Sequence, residues 1–143
     1  MGIVIIAGEC GAAELFGTVF PPSGTITVTG RIRVRSADSA VIIGKNGEAH
    51  IENALGIIVS GDEPPTDIPA GIQLITCGAG AKNTVSFSSL TESGITLSLN
   101  RSMNTAAGRC DPLEFPAAGT GGADVFSYMS AFAAALLLGI IPT

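Results

Sequence analysis

Between Thr25 and Arg35 apolar and polar side chains alternate without a break. Ile26, Val28, Gly30, Ile32 and Val34 fall on one parity, and Thr25, Thr27, Thr29, Arg31, Arg33 and Arg35 on the other. Successive side chains of a strand point to opposite faces, so the pattern fits a strand with one buried and one solvated face. Gly30, at its middle, marks a bulge or bend. Asn46-Gly47, between Val41–Lys45 and Glu48–Glu52, predicts a two-residue hairpin, because both residues tolerate the positive φ that such a turn needs. Leu55–Ser60, Ile72–Cys77, Thr84–Leu90 and Ile95–Asn100 read as further strands, and Ile3–Ala7 as a short buried strand or docking arm. About eight short strands with turns at regular intervals predict a mainly β fold, an antiparallel β-sandwich of jelly-roll or Greek-key type.

The chain divides into an N-terminal arm and turn (1–24), a sandwich core (25–100) and a loop followed by an apolar C-terminal segment (101–143), all within a single domain. Gly61–Gly71 is acidic and proline-rich, which excludes it from a central strand. Arg101–Gly122 reads as loop, with Pro112, Pro116 and the run Gly119-Thr-Gly-Gly122. Val125–Leu138 reads as a helix: Asp124 is a suitable N-cap, four alanines favour helix, and Gly139 and Pro142 would stop it. A terminal strand over Leu136–Ile141 is the competing reading. No internal repeat is evident.

Only 13% of the residues are charged, against roughly 25% in ordinary soluble domains. Seven basic and twelve acidic side chains cannot densely cover the exterior of a domain this size, so part of that exterior is expected to be covered by copies of the chain or by another protein. The net charge of -5 argues against nucleic-acid binding, which needs a basic footprint. Cys10, Cys77 and Cys110 are far apart in sequence and His50 is the single histidine, so neither a metal site nor a cofactor is expected. Unpaired buried thiols are the plain reading, and bonds between subunits the other. The N-terminus lacks the basic flank and cleavage site of an export signal, and Ile6 breaks the myristoylation pattern that Gly2 invites.

Several features suggest sites, and each has a plainer reading beside it. Arg31, Arg33 and Arg35 make an anion-facing stripe, or else pair across strands with Glu48 and Glu52, which share a face with His50. Asp62, Glu63 and Asp67 resemble calcium ligands but lack an EF-hand pattern, and a solvated acidic loop accounts for them. The glycine run before the helix lacks the strand and lysine of a phosphate-binding loop. A catalytic triad around His50 would need a distant serine, and a sugar cleft is poorly supplied without tryptophan, so no enzyme activity is expected. Val125–Ile141 is at the lower limit of membrane-crossing length and lacks basic flanks, so a membrane partner is not expected. An all-round apolar helix must be buried somewhere, and Ser127, Ala131 and Ala135 would let it gather with symmetry mates.

These observations together suggest a self-assembling structural subunit. The expected form is a viral capsid decoration (cement) protein that oligomerises, as a trimer for preference, and binds a larger protein shell or filament in a virion or extracellular assembly. An extracellular filament or spore-surface subunit cross-linked through Cys10 or Cys110 is the first alternative, and a carbohydrate- or receptor-binding sandwich the second. The expected interface comprises Ile3, Val4, Ile5 and Ile6 as an added strand, Arg31, Arg33 and Arg35 as orienting charges, and Phe126, Met129, Phe132, Leu136 and Leu137 as oligomer core.

Overall fold

The computed structural model describes residues 2–29, 31–62, 69–119 and 123–141. Its strands are β1 (Ile3–Ala7), β2 (Thr25–Val28), β3 (Arg31–Arg35), β4 (Ser39–Ile43), β5 (Glu48–Asn53), β6 (Gly56–Ser60), β7 (Leu74–Cys77), β8 (Val85–Thr91), β9 (Gly94–Leu99), β10 (Met103–Thr105), β11 (Gly108–Cys110) and β12 (Leu113–Ala118). A 3-10 turn covers Ala12–Leu15, and one helix, α1, covers Val125–Leu138.

The main sheet has eight strands in the order β12-β9-β8-β7-β6-β4-β1-β2. The run from β2 to β8 is parallel throughout, and only β8–β9 and β9–β12 are antiparallel. A separate parallel pair, β3–β5, lies across one face. The chain thus winds β2–β3–β4 and then β4–β5–β6, alternating between two sheets, so the fold is a mixed, mostly parallel β-solenoid. The expected antiparallel sandwich, jelly-roll or Greek-key, is overturned by this topology.

The reason is visible in the strands themselves. β1 (IVIIA), β4 (SAVII) and β6 (GIIVS) are apolar at consecutive positions, the pattern of strands covered on both faces in a parallel sheet. Val4, Ile6, Ala40, Ile42 and Ile58 pack on the α1 side. Ile5, Val41, Ile57 and Val59 pack on the other, against Val34 and Ile51 of β3 and β5. The molecule is therefore three layers in this region: helix, main sheet, small sheet.

Two local expectations fail for related reasons. The alternating run Thr25–Arg35 is not one strand: β2 joins the main sheet and β3 the small one, and Gly30, between them, lies outside the described residues. β3 keeps one covered face, with Val34 buried, whereas in β2 Ile26 stays exposed. Asn46-Gly47 does not make a hairpin either, since β4 pairs with β1 and β6 while β5 pairs with β3. The turn sits one residue earlier: Gly47 N–H donates to Gly44 O at 3.0 Å, and Asn46 alone takes positive φ, 60°, as the third residue. Gly47 is needed for contact instead, since a Cβ there would collide with the Ala7 carbonyl in the adjacent coil. The segment expected as loop, Arg101–Gly122, contains β10, β11 and β12.

α1 runs over the expected residues. Asp124 caps it, its Oδ1 accepting from Ser127 N–H at 2.8 Å, and Gly139 closes it at φ 71°. Its side chains from Ser127 to Leu137 are all buried within this one chain, against β4, β6, β7, β8, β9, β10 and the 3-10 turn. Phe132 joins Phe20 and Phe115 with ring centroids 5.7–6.3 Å apart, favourable for tilted aromatic packing. The helix needs no second copy to be covered. At 14 residues, no helix among the described residues is long and apolar enough to cross a membrane.

Candidate functional site

The outer face of the β3–β5 pair collects chemistry that the sequence spreads from Arg31 to Glu52. Ile32 and Val34 turn inward with Ala49 and Ile51, which forces Arg31, Arg33 and Arg35 outward beside Glu48, His50 and Glu52. Arg31 donates from Nε and Nη2 to one carboxylate oxygen of Glu48 at 3.1 and 3.0 Å. A bulge after Val34–Ile51 places Arg35 opposite Asn53 and brings its Nε within 3.3 Å of Glu52. His50 Nε2 stands 4.0 Å from the same carboxylate, an ion pair only when the imidazole is protonated. Arg33, in register with His50, has no hydrogen-bond or ion-pair partner among the described residues. Arg31, Arg33, Glu48, Ala49 and His50 surround a shallow depression of about 410 Å³.

The stripe is therefore largely an internal ladder of exposed pairs, each stabilising by about 0–1 kcal/mol.

A second surface was not anticipated from the sequence. On the face of β8, β9 and β12 turned away from α1, Ser89, Thr96 and Pro116 stand in register, next to a row of Ser86, Ser98 and Glu114 in which both serines are buried. Ser89, Thr91, Ser93, Thr96, Pro116 and Ala118 line a depression of about 310 Å³ there, whereas Leu90, in register with the buried Ile95, is 59% exposed on the opposite face of the sheet. Among the described residues, Glu92 and Glu114 are the charges at its margins. The unnoticed signal was the serine- and threonine-rich outer parity of the β8 and β9 segments, which reads as ordinary solvated strand in isolation.

The remaining expected site residues are distributed as follows. Val4, Ile5 and Ile6 are buried in β1, between β4 and the edge strand β2, with Ile3 half-buried beside them, so that segment adds to the chain's own sheet. Met129, Phe132, Leu136 and Leu137 are buried in the helix core, and Phe126 is half-buried against it. All three cysteines are free. Cys10 Sγ lies 3.6–3.7 Å from the hydroxyls of Ser127 and Ser130, while Cys77 and Cys110 are buried. Burial, with a smaller push from Cys10, holds the Cys77 thiol far above its ordinary value, and burial and then Asp111 raise Cys110. Such thiols are poor nucleophiles and poor cross-linkers. Asp62 is exposed near Glu9 and Asp124 in an open cleft, whereas Glu63 and Asp67 lie outside the described residues, as do Thr120, Gly121 and Gly122 of the glycine run. No three His, Cys, Asp or Glu side chains among the described residues are grouped to hold a metal ion.

Comparison with protein-family models, curated proteins and solved structures finds no match.

Proposed function

We propose that the chain is a structural subunit that self-associates and seats on a larger protein shell or filament, in the manner of a capsid decoration protein. One observation carries this reading: the sparse charge is unevenly distributed. Three of seven basic side chains, two carboxylates and the single histidine crowd the outer face of β3–β5. The end of the main sheet farthest from β2 presents Ser89, Thr91, Ser93 and Thr96 of β8, β9 and their turn beside Pro116 and Ala118 of β12, an uncharged strip. A flat, weakly charged sheet face loses little when covered by protein, because few ions must be desolvated. The charged ladder supplies orientation, with Arg33 available to a carboxylate on the partner.

The buried helix does not contribute to this reading, since its own chain covers it. Of the two thiols a cross-linked filament would use, Cys110 is buried, and Cys10, half-buried, lies against the hydroxyls of Ser127 and Ser130. The decisive measurement is native mass by sedimentation equilibrium across micromolar concentrations. The expected result is a discrete oligomer, and a monomer at every concentration overturns the proposal.

A further inference from the structure

We infer that β2 is the edge through which two copies of this chain join, strand to strand about a twofold axis. This deepens the assembly reading above and rests on it. The main sheet ends in two edges of opposite character. At β12, Gly119 N–H donates to Ser93 O at 3.1 Å. Bonded and non-bonded pairs alternate in an antiparallel ladder, so Phe115 and Ala117 bond inward to β9 while Glu114 and Pro116 turn their main chain outward. Pro116 has no N–H to offer there and Glu114 adds a charge, two devices that keep an edge from pairing.

At β2 neither device is present. Val4 N–H donates to Gly24 O and Gly8 N–H to Val28 O, both at 2.9 Å, so alternate residues face β1 and the main-chain groups of Thr25 and Thr27 face outward. Thr25–Thr29 holds no charge and no proline, and Ile26 is 47% exposed on it.

The chemistry of this edge suits itself. With the axis through Thr27, the outward groups form bonded pairs Thr27–Thr27 and Thr25–Thr29 between copies, and Ile26 lies beside Val28 of the other copy. No like charges meet across the axis. Head-to-tail growth would need β2 to pair with β12, where Pro116 lacks the required donor. The contact is therefore isologous and closes at two copies.

Native mass and thermal melting of wild type, Thr27→Pro and Ile26→Lys test this. Proline is tolerated on an edge strand whose N–H faces outward, so T27P should keep its fold while removing the central donor. The expected result is a wild-type dimer whose association weakens at least about tenfold in both variants, with melting retained. If T27P does not fold, I26K decides. A wild-type oligomer of any size that neither folded variant weakens overturns the β2 contact and leaves the assembly reading standing. A monomeric wild type overturns both.

Discussion

The coils built from β1, β4 and β6 and the antiparallel group β8, β9 and β12 belong to one sheet, yet they solve burial differently. In β4 and β6 adjacent residues such as Ile57 and Ile58 are both fully buried, one under the small sheet and the other under α1. In β9, Leu97 is fully buried under α1 while its neighbour Thr96 stays half-buried on the outer face. Double cover yields unbroken apolar runs and single cover yields alternation. The two regions meet at β7–β8, where Cys77 and Val85 are the one pair in register. That junction is reinforced by Thr84 N–H donating to Thr76 Oγ1 at 3.1 Å and Thr76 N–H to Thr84 Oγ1 at 3.4 Å. The lesson is that the number of packed layers, rather than strand propensity, decides which sequence pattern a strand can carry.

The most direct way to break this contrast is alanine substitution at neighbouring positions. Ile57→Ala and Ile58→Ala should each cost about 2–5 kcal/mol, as should Leu97→Ala, while Thr96→Ala should stay within about 0.5 kcal/mol. Denaturant unfolding measures all four, and a mild Ile57→Ala would show that the small sheet does not truly cover the main one. Gly47→Ala comes next. Its new methyl meets the Ala7 carbonyl of the adjacent coil, so a loss of about 1–3 kcal/mol is expected in the same assay.

The junction between the regions supplies a pH test. The folded state holds the Cys77 thiol neutral well above its ordinary value of 9.0, whereas the unfolded chain ionises it near that value. Stability is therefore fully present below about pH 9 and falls as pH rises beyond it, because the unfolded state sheds the proton first. Melting curves from about pH 8 to about pH 10.5 should show this decline, and Cys77→Ala should lessen it, with Cys110 supplying the remainder. The smallest effect belongs to the exposed ladder. Arg31→Ala should change stability by less than about 1 kcal/mol, with a further decrease of that effect in high salt.

How much of this was legible in the sequence differs from element to element. β1, β5 and α1 appear at or within a residue of their expected bounds, because a short apolar run, an alternating run and a capped alanine-rich segment are local signals. The pairing of Arg31 and Arg35 with Glu48 and Glu52 was legible too, since alternation places those charges on outer faces. The serine–threonine strip was not, because its meaning depends on which face α1 covers. Pairing partners were also hidden: Asn46-Gly47 looks like a hairpin until the adjacent coil, through Ala7, competes for the same main chain.

The order of residues by itself determined that strands would dominate, that α1 would start at Asp124 and end at Gly139, and that the Arg31–Arg35 side chains would face water. Those outcomes depend on neighbours a few positions away. Only the tertiary structure decided that most of the main-sheet strands run parallel, that the helix is enclosed by its own chain, and that one sheet edge carries Pro116 while the other, β2, carries neither proline nor charge. Each of those depends on contacts between segments tens of residues apart, where covering a second apolar face outweighs the convenience of a tight hairpin.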